Sequence, residues 1–457
     1  MFKRIELDNF LSFDHLVIDL AGKGKVPLNH AVIYGENGSG KTNMMESVVF
    51  LKESVNTMAL NDLMSSFTLN LGEGPGISES GDPLSGLLDA LRREMVRLNS
   101  RNLDITVFSR PRHMVGSSGP IRVRFTMQIA DMPYEYELCF DSDGSVFKEE
   151  LRTVLSERMG RLFSIVAGDR GPDMIFNESL FLESDYRDEI RDAVRKYWGK
   201  HTLLAIFNRE YASKNLGYME TVLRKAVFDV LGAISTTVTN VPSPSGAPML
   251  THGLGIDLIR GSMPSDQRGI LTAYESALSK FFSRLYSDIV GVSYSTSEVG
   301  GMITYELFFH KRVAGSVRAI PCINESAGTK ALVSLFPSLM GCAEGRTAFI
   351  DEMDSGIHDK LVSDLMQQIL PDLKGQLVIT THNTSLLEFL PPSNVFILDV
   401  DAEGYKSILP VSSIGRTQRN NNNRIRYLHG QFNGVPIIGY IDLAGIASSF
   451  HRDLEAI

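Results

Sequence analysis

The sequence predicts an α/β fold, with a phosphate-binding core built from both ends of the chain and a mainly helical insertion between them. Three observations lead there. Near the start, Gly35-Glu36-Asn37-Gly38-Ser39-Gly40-Lys41-Thr42 fits the phosphate-loop (P-loop) pattern GxxxxGK[ST], between an apolar run and a helical one. Far downstream, Thr347-Ala348-Phe349-Ile350-Asp351-Glu352 is an apolar strand ending in two carboxylates. From about Glu150 to Tyr286 the pattern is mainly helical, so folding has to join two distant half-sites.

The elements follow in order. Ala31-Val32-Ile33-Tyr34 is the kind of apolar run that forms a buried parallel strand. The glycines after it permit a tight loop whose backbone N–H groups face phosphate oxygens. Lys41 then reaches the β- and γ-phosphates, and the Thr42 hydroxyl holds Mg²⁺. Met44, Met45, Val48 and Leu51 come at helical spacing, so the loop opens a helix whose N-terminus favours an anion. This unit extends to about residue 58. Ser65 to Ser85, rich in Gly, Ser and Pro, reads as a mobile loop, and Leu87 to Leu98 as a charged helix. Ile121–Ile129 and Tyr134–Phe140 alternate apolar and polar residues and form a hairpin through Asp131-Met132-Pro133.

The helical stretch has a Pro/Ser/Gly break at Val241 to Ala247. Its apolar stripes, such as Leu203, Leu204, Ile206 and Phe207, are explained by core packing. Tyr305–Phe309 returns the chain to a sheet. The division this suggests is a core from residues 1–150 and 300–457, with a lid-like insertion from 151–299. No internal repeat and no heptad run long enough for a coiled-coil arm is visible.

The second half-site names the chemistry. Asp351, at the carboxyl end of its strand, is placed to orient Mg²⁺ through its waters. Glu352 is then the general base for an attacking water. Gln376–Thr381 is a further buried strand, and it ends at His382, in reach of a γ-phosphate. Before these, Asn324–Lys330 opens a helix with Ala331, Leu332, Leu335, Phe336, Leu339 and Met340 on one face and Pro337 within it. Ser326 is its N-cap, and Gly328 allows a phosphate close to the backbone.

Composition narrows the class. A chain of 457 residues can bury a large core. No apolar stretch of about eighteen residues and no signal-peptide core is present, so a cytoplasmic protein without a membrane span is expected. Cys139, Cys322 and Cys342 are too few and too scattered for a disulfide framework or a zinc site. The net charge of −9 argues against a generally basic nucleic-acid glove, though not against a local groove. Two arginine-rich stretches are candidates for such a groove or for an oligomer interface: Arg92, Arg93, Arg97 and Arg101, and Arg416, Arg419, Arg424 and Arg426 around Asn420–Asn423. At the second, Tyr427 and Phe432 could add base stacking.

The order of P-loop, long insertion, Ser-x-Gly-Thr-Lys helix, Ile-Asp-Glu and Leu-Val-Ile-Thr-Thr-His resembles the ABC/SMC/RecF class of ATPases, and within it the prokaryotic AAA15-type family. Phe2–Phe10 is similar to that class's first strand, which ends in Asn-Phe. Ile350–His358 resembles the family's "IDE…S-x-x-H" stretch, and Arg426–Pro436 its closing "Y-x-x-G-x-(F/Y)-x-x-(I/V)-P" segment. Ser326-Ala327-Gly328 departs from the Ser-Gly-Gly of transporters, and Gln128 is a weak match for a Q-loop glutamine.

The resemblance implies an ABC-type ATPase that uses ATP and Mg²⁺. It implies that Ser326 and Gly328 close on the nucleotide of a neighbouring subunit, in a homodimer or higher homo-oligomer. It also implies a sensor or scaffold role in anti-phage defence of the PARIS or Septu type, with a separate nuclease or toxin as effector. Two alternatives stand beside it: a RecF-like DNA-repair ATPase that clamps DNA on ATP binding, and an ATP-dependent scaffold with marginal hydrolysis.

Overall fold

Alternate residues of the central strands face two different hydrophobic cores, and this organises the molecule. The computed structural model describes residues 1–70, 103–214, 216–241, 257–414, 422–435 and 440–455. A six-stranded sheet has the order β17-β16-β3-β15-β14-β9. Its strands are β3 (His30–Gly35), β9 (Val238–Asn240), β14 (Thr347–Ile350), β15 (Gln376–Thr380), β16 (Val395–Val400) and β17 (Lys406–Pro410). All pairings are parallel except β16 with β17. Ala31, Ile33, Phe349, Val378, Phe396 and Leu398 enter one core. Val32, Tyr34, Ala348, Ile350, Leu377 and Ile397 enter the other. A parallel sheet covered on both faces requires such unbroken apolar runs.

The first core lies between this sheet and a seven-stranded antiparallel sheet, β2-β1-β4-β5-β6-β7-β8. Those strands are β1 (Phe2–Phe10), β2 (Phe13–Asp19), β4 (Ile121–Ile129), β5 (Met132–Phe140), β6 (Val146–Leu155), β7 (Arg158–Gly168) and β8 (Gly171–Phe176). The β4–β5 hairpin pairs Ile129 with Met132, so its turn is Ala130-Asp131, both at positive φ. Gln376 stitches the two sheets: its Oε1 accepts from the Phe2 N–H at 2.7 Å and its Nε2 donates to the Phe2 carbonyl at 2.8 Å.

Between the sheets runs the helix that the P-loop opens, α1 (Lys41–Asn70). It is buried on every side from Met44 to Val55, polar residues included. Each buried polar group then needs a partner. Arg112, fully buried, meets Glu46 at 2.7 Å and Glu53 at 2.8 Å, and Lys52 donates to the Thr237 carbonyl at 2.7 Å. Burial pushes the Glu53 carboxyl up to about 8 and the Lys52 ammonium down to about 8.

The structure differs from the sequence reading in several places. Helix α1 continues through Ser65 to Asn70, and the rest of the Ser65–Ser85 loop lies outside the described residues, as do the Leu87–Leu98 helix and Arg92, Arg93, Arg97 and Arg101. The stretch expected to turn helical at Glu150 instead carries β6, β7 and β8, and helices begin at Ser184. The residues expected to form a lid are not set apart: Leu203, Leu204, Ile206 and Phe207 join the first core, and β9 pairs with β14. A third, four-stranded sheet holds β10 (Arg260–Pro264), β11 (Ile289–Val299), β12 (Met302–Val313) and β13 (Ser316–Pro321). The expected Tyr305–Phe309 strand lies inside β12. Of the Val241–Ala247 break, residues 242–247 lie outside the described residues. Among the described residues, no helix is long and apolar enough to cross a membrane.

Candidate nucleotide-binding site

The carboxyl ends of β3, β15 and β14 lie side by side, because Ile33 pairs with Thr380 and Ile350 with Ile379. In open parallel sheets this edge is where ligands bind. The P-loop leaves β3, His382 follows β15, and Asp351 and Glu352 follow β14. Two residues 309 positions apart then touch: the Thr42 hydroxyl donates to Asp351 Oδ2 at 2.6 Å. The two half-sites are one site.

The loop's shape rests on its glycines. Gly38 and Gly40 adopt φ of +81° and +111°. A Cβ at Gly40 would stand 2.9 Å from Phe13 Cζ and from Ser12 Oγ, and one at Gly35 would stand 2.6 Å from the Leu398 carbonyl oxygen. The β1–β2 turn is therefore packed against the start of α1, and Asn43 Nδ2 donates to Ser12 Oγ at 2.7 Å. Lys41 folds back on the loop, donating to the carbonyls of Gly35 at 2.8 Å and Glu36 at 3.0 Å. Burial lowers its pKa, while Asp351, Glu352 and Asp354 pull it up. An arriving phosphate offers this ammonium a stronger partner than the two carbonyls do.

Asp351 is held at both oxygens, Oδ2 by Thr42 and Oδ1 by the Thr380 hydroxyl. Thr380 Oγ1 also accepts from the Glu352 N–H at 2.8 Å. That hydroxyl fixes the turn that carries both acids, with Glu352 at φ +46°. Glu352 and His382 are exposed at this edge. The His382 N–H donates to Asp354 Oδ2 at 3.2 Å, so Asp354 ties the β15 end to the β14 end. Thr42 and Asp351 form an all-oxygen pair of the kind that suits a hard divalent cation completed by phosphate oxygens and waters. Among the described residues, no cluster of three or more His, Cys, Asp or Glu side chains could hold a metal unaided.

Ser326 caps the Ala327–Ala343 helix, accepting from the Thr329 N–H at 3.1 Å, and is exposed. Gly328 is buried against the chain itself: a Cβ there would stand 2.5 Å from the Gly356 carbonyl oxygen. Its lack of a side chain thus serves contact with the segment after Asp351–Glu352. His358 of that segment caps the Asp359–Ile369 helix, its Nδ1 accepting from the Lys360 N–H at 3.1 Å.

Several other expectations find their place. Gln128 pairs beside Met1, at the opposite end of β1 from Phe10 and the P-loop, and so does not serve as a Q-loop residue. Tyr427 and Phe432 are buried and cannot act as base-stacking platforms. Tyr427 packs on Tyr34, with ring centroids 5.4 Å apart. Arg424 bonds Glu388 and Thr384, and Arg426 lies over the Phe432 ring; Arg416 and Arg419 lie outside the described residues. The three cysteines are free and buried, their thiols pushed up to about 12 by burial. Sequence reasoning missed Thr380 and Asp354; the polar end of an otherwise apolar strand, Thr380-Thr381, is the signal that could have marked the first.

A family model described as "AAA domain, putative AbiEii toxin, Type IV TA system" matches residues 261–388. That span holds Ser326, Gly328, Asp351, Glu352 and His382 but not the P-loop. No curated protein matches the chain. Among solved structures, it is similar to an Smc head bound to the C-terminal winged-helix domain of ScpA, at 13% identity and a TM-score of 0.42, covering 89% of this chain and 97% of that one. It is similar to the SMC head domain from Thermotoga maritima at 14% identity and a TM-score of 0.37, covering 90% and 98%. An Smc head with an extended coiled coil, derived from Pyrococcus furiosus and bound to the C-terminal domain of ScpA, gives 13% identity and 0.38, covering 89% and 95%. The strand order and the loop–helix junction, rather than these scores, define the fold.

Proposed function

We propose that the protein is an ABC-type ATPase that binds ATP with Mg²⁺ and hydrolyses it at a site shared between two copies of the chain. One observation carries the reading: the Thr42–Asp351 contact, which joins a P-loop to the acid pair Asp351–Glu352. Gly35 to Thr42 bind the phosphates, with Lys41 as the point charge. Thr42 and Asp351 would hold Mg²⁺, which neutralises charge on the phosphates when bound. Glu352 takes the proton of the attacking water, and His382 contacts the γ-phosphate. Ser326 and Gly328 complete the site of a second copy, for which the exposure of Ser326, Glu352 and His382 leaves room.

As the biological setting we favour a sensor or scaffold in anti-phage defence that works through a separate effector protein. The matched domain's description, which names a toxin of a toxin–antitoxin system, supports this over DNA repair. So does the charge of the seven-stranded sheet's polar face. Several of its cations are matched to acids: Arg4 to Glu6 at 2.7 Å, Arg161 to Glu150 at 3.3 Å, Arg122 to Asp8, and Arg124 and Lys148 to Glu137. A face neutralised in this way offers few free cations to a phosphate backbone.

The test is Glu352→Gln, which keeps the shape and loses the base. ATP binding should persist while turnover falls by about 10²- to 10⁴-fold. Wild-type turnover in this variant would remove Glu352 from its role, and absence of ATP binding by the wild type would overturn the function.

A further inference from the structure

Beside the P-loop stands a second lysine that the sequence pattern does not contain. Lys406, the first residue of β17, donates from Nζ to the Gly38 carbonyl at 3.4 Å, and its ammonium lies over the Phe13 ring, 5.5 Å from the centroid. It is half-buried, burial lowers its pKa, and among the described residues no carboxylate offsets the lost water. Other lysines of the molecule do find acids: Lys214 meets Glu210 at 2.6 Å, Lys311 meets Glu325 at 2.6 Å, and Lys360 meets Asp364 at 2.8 Å. In the same loop the Ser39 hydroxyl, 1% exposed, has no hydrogen-bond partner among the described residues. A desolvated cation without a counter-ion and a buried hydroxyl without a partner both cost free energy. An anion at the loop would supply the counter-ion for Lys406.

The sheet order says which part of that anion Lys406 meets. β17 and β16 lie on one side of β3, and β15 and β14, with Thr380, Asp351 and Glu352, on the other. Lys406 therefore approaches from the side away from the hydrolytic carboxylates, together with the Ser12–Phe13 turn that abuts Gly40. We propose that Lys406 is a second cationic contact for the bound nucleotide, acting on the phosphates that ADP retains rather than on the γ-phosphate. On nucleotide binding, Nζ leaves the weak Gly38 contact for a charge-assisted one. The proposal rests on the nucleotide reading above and adds a residue from a strand outside both half-sites.

Calorimetric titration of the full chain with ATP and with ADP tests it. Lys406→Ala should weaken both nucleotides by the same factor, about tenfold, and Lys406→Arg should retain most of the affinity. Lys406→Gln distinguishes charge from bracing, because an amide can still donate to the Gly38 carbonyl: it should lose as much as the alanine variant. Wild-type affinity in Lys406→Gln or in Lys406→Ala would overturn the proposal, as would a loss confined to ATP. Lys41→Ala is the internal control. If it loses binding while the Lys406 variants match the wild type, the Lys406 proposal alone falls; if the wild type binds neither nucleotide, the nucleotide reading falls with it.

Discussion

The helix starts at Lys41 and at Ala327 both carry glycines, and they are built differently. The first is finished within one chain. Its glycines hold positive φ, Thr42 reaches Asp351 at 2.6 Å, and Lys41 is parked on its own loop. The second is closed on itself: Ser326 spends its hydroxyl on Thr329, and Gly328 is occupied by the Gly356 carbonyl. The second is an exposed cap braced from behind by the segment that follows Asp351–Glu352. On the function proposed above, the second start acts on the ligand of another copy.

Substitutions at the two starts should therefore fail in different ways. The largest effect is expected at Lys41→Ala, where loss of the phosphate's point charge costs on the order of 3 kcal/mol or more, about 100-fold in ATP affinity. Titration with labelled ATP checks it, and unchanged affinity would remove Lys41 from the site. Gly328→Ala should act on stability instead. Its Cβ would meet backbone at 2.5 Å, so the Gly356 segment has to shift, at a cost of about 2 kcal/mol in denaturant unfolding. Wild-type stability in this variant would mean that the brace yields freely.

The smallest effect lies farther along α1, at Thr57. His201 is buried on Thr57, with Nδ1 2.9 Å from its hydroxyl, and burial pushes its pKa down to about 4. The unfolded chain, titrating near 6.5, binds more protons between those values. Stability is therefore lost as pH falls, by about 1 kcal/mol between pH 7 and 5.5. His201→Gln should remove that part of the slope, read as the difference between the two unfolding curves. An identical pH dependence in the variant would show that His201 charges freely in the folded state.

What could be read from sequence divides along the same line. The P-loop and the Asp351–Glu352 strand are local patterns, recognisable from spacing alone, and the structure joins them. Among the antiparallel strands after Glu150, β7 is hidden from a sequence reading because its burial does not alternate. In β7 the buried residues Leu162 to Ile165 run consecutively, flanked by exposed ones, so no two-residue period appears. Thr380 was passed over because its importance lies in two acids on another strand, and Lys406 because nothing beside it in sequence points to the P-loop. Arg112 pairs with two glutamates of α1 that no spacing links to it. The contacts of Gly328 were legible only in kind: a glycine was needed, but for the Gly356 carbonyl.

Whether the second helix start completes the first on another chain is decided by subunit mixing. Ser326→Arg keeps its own P-loop intact and blocks closure at the cap, whereas Lys41→Ala keeps the cap and loses the loop. Each variant alone should be inactive in steady-state ATPase assays. A mixture allowed to exchange subunits should recover activity, because one of its composite sites has an intact loop and an intact cap. No recovery despite demonstrated exchange, with specific activity of the wild type independent of concentration down to a proven monomer, would contradict the shared site.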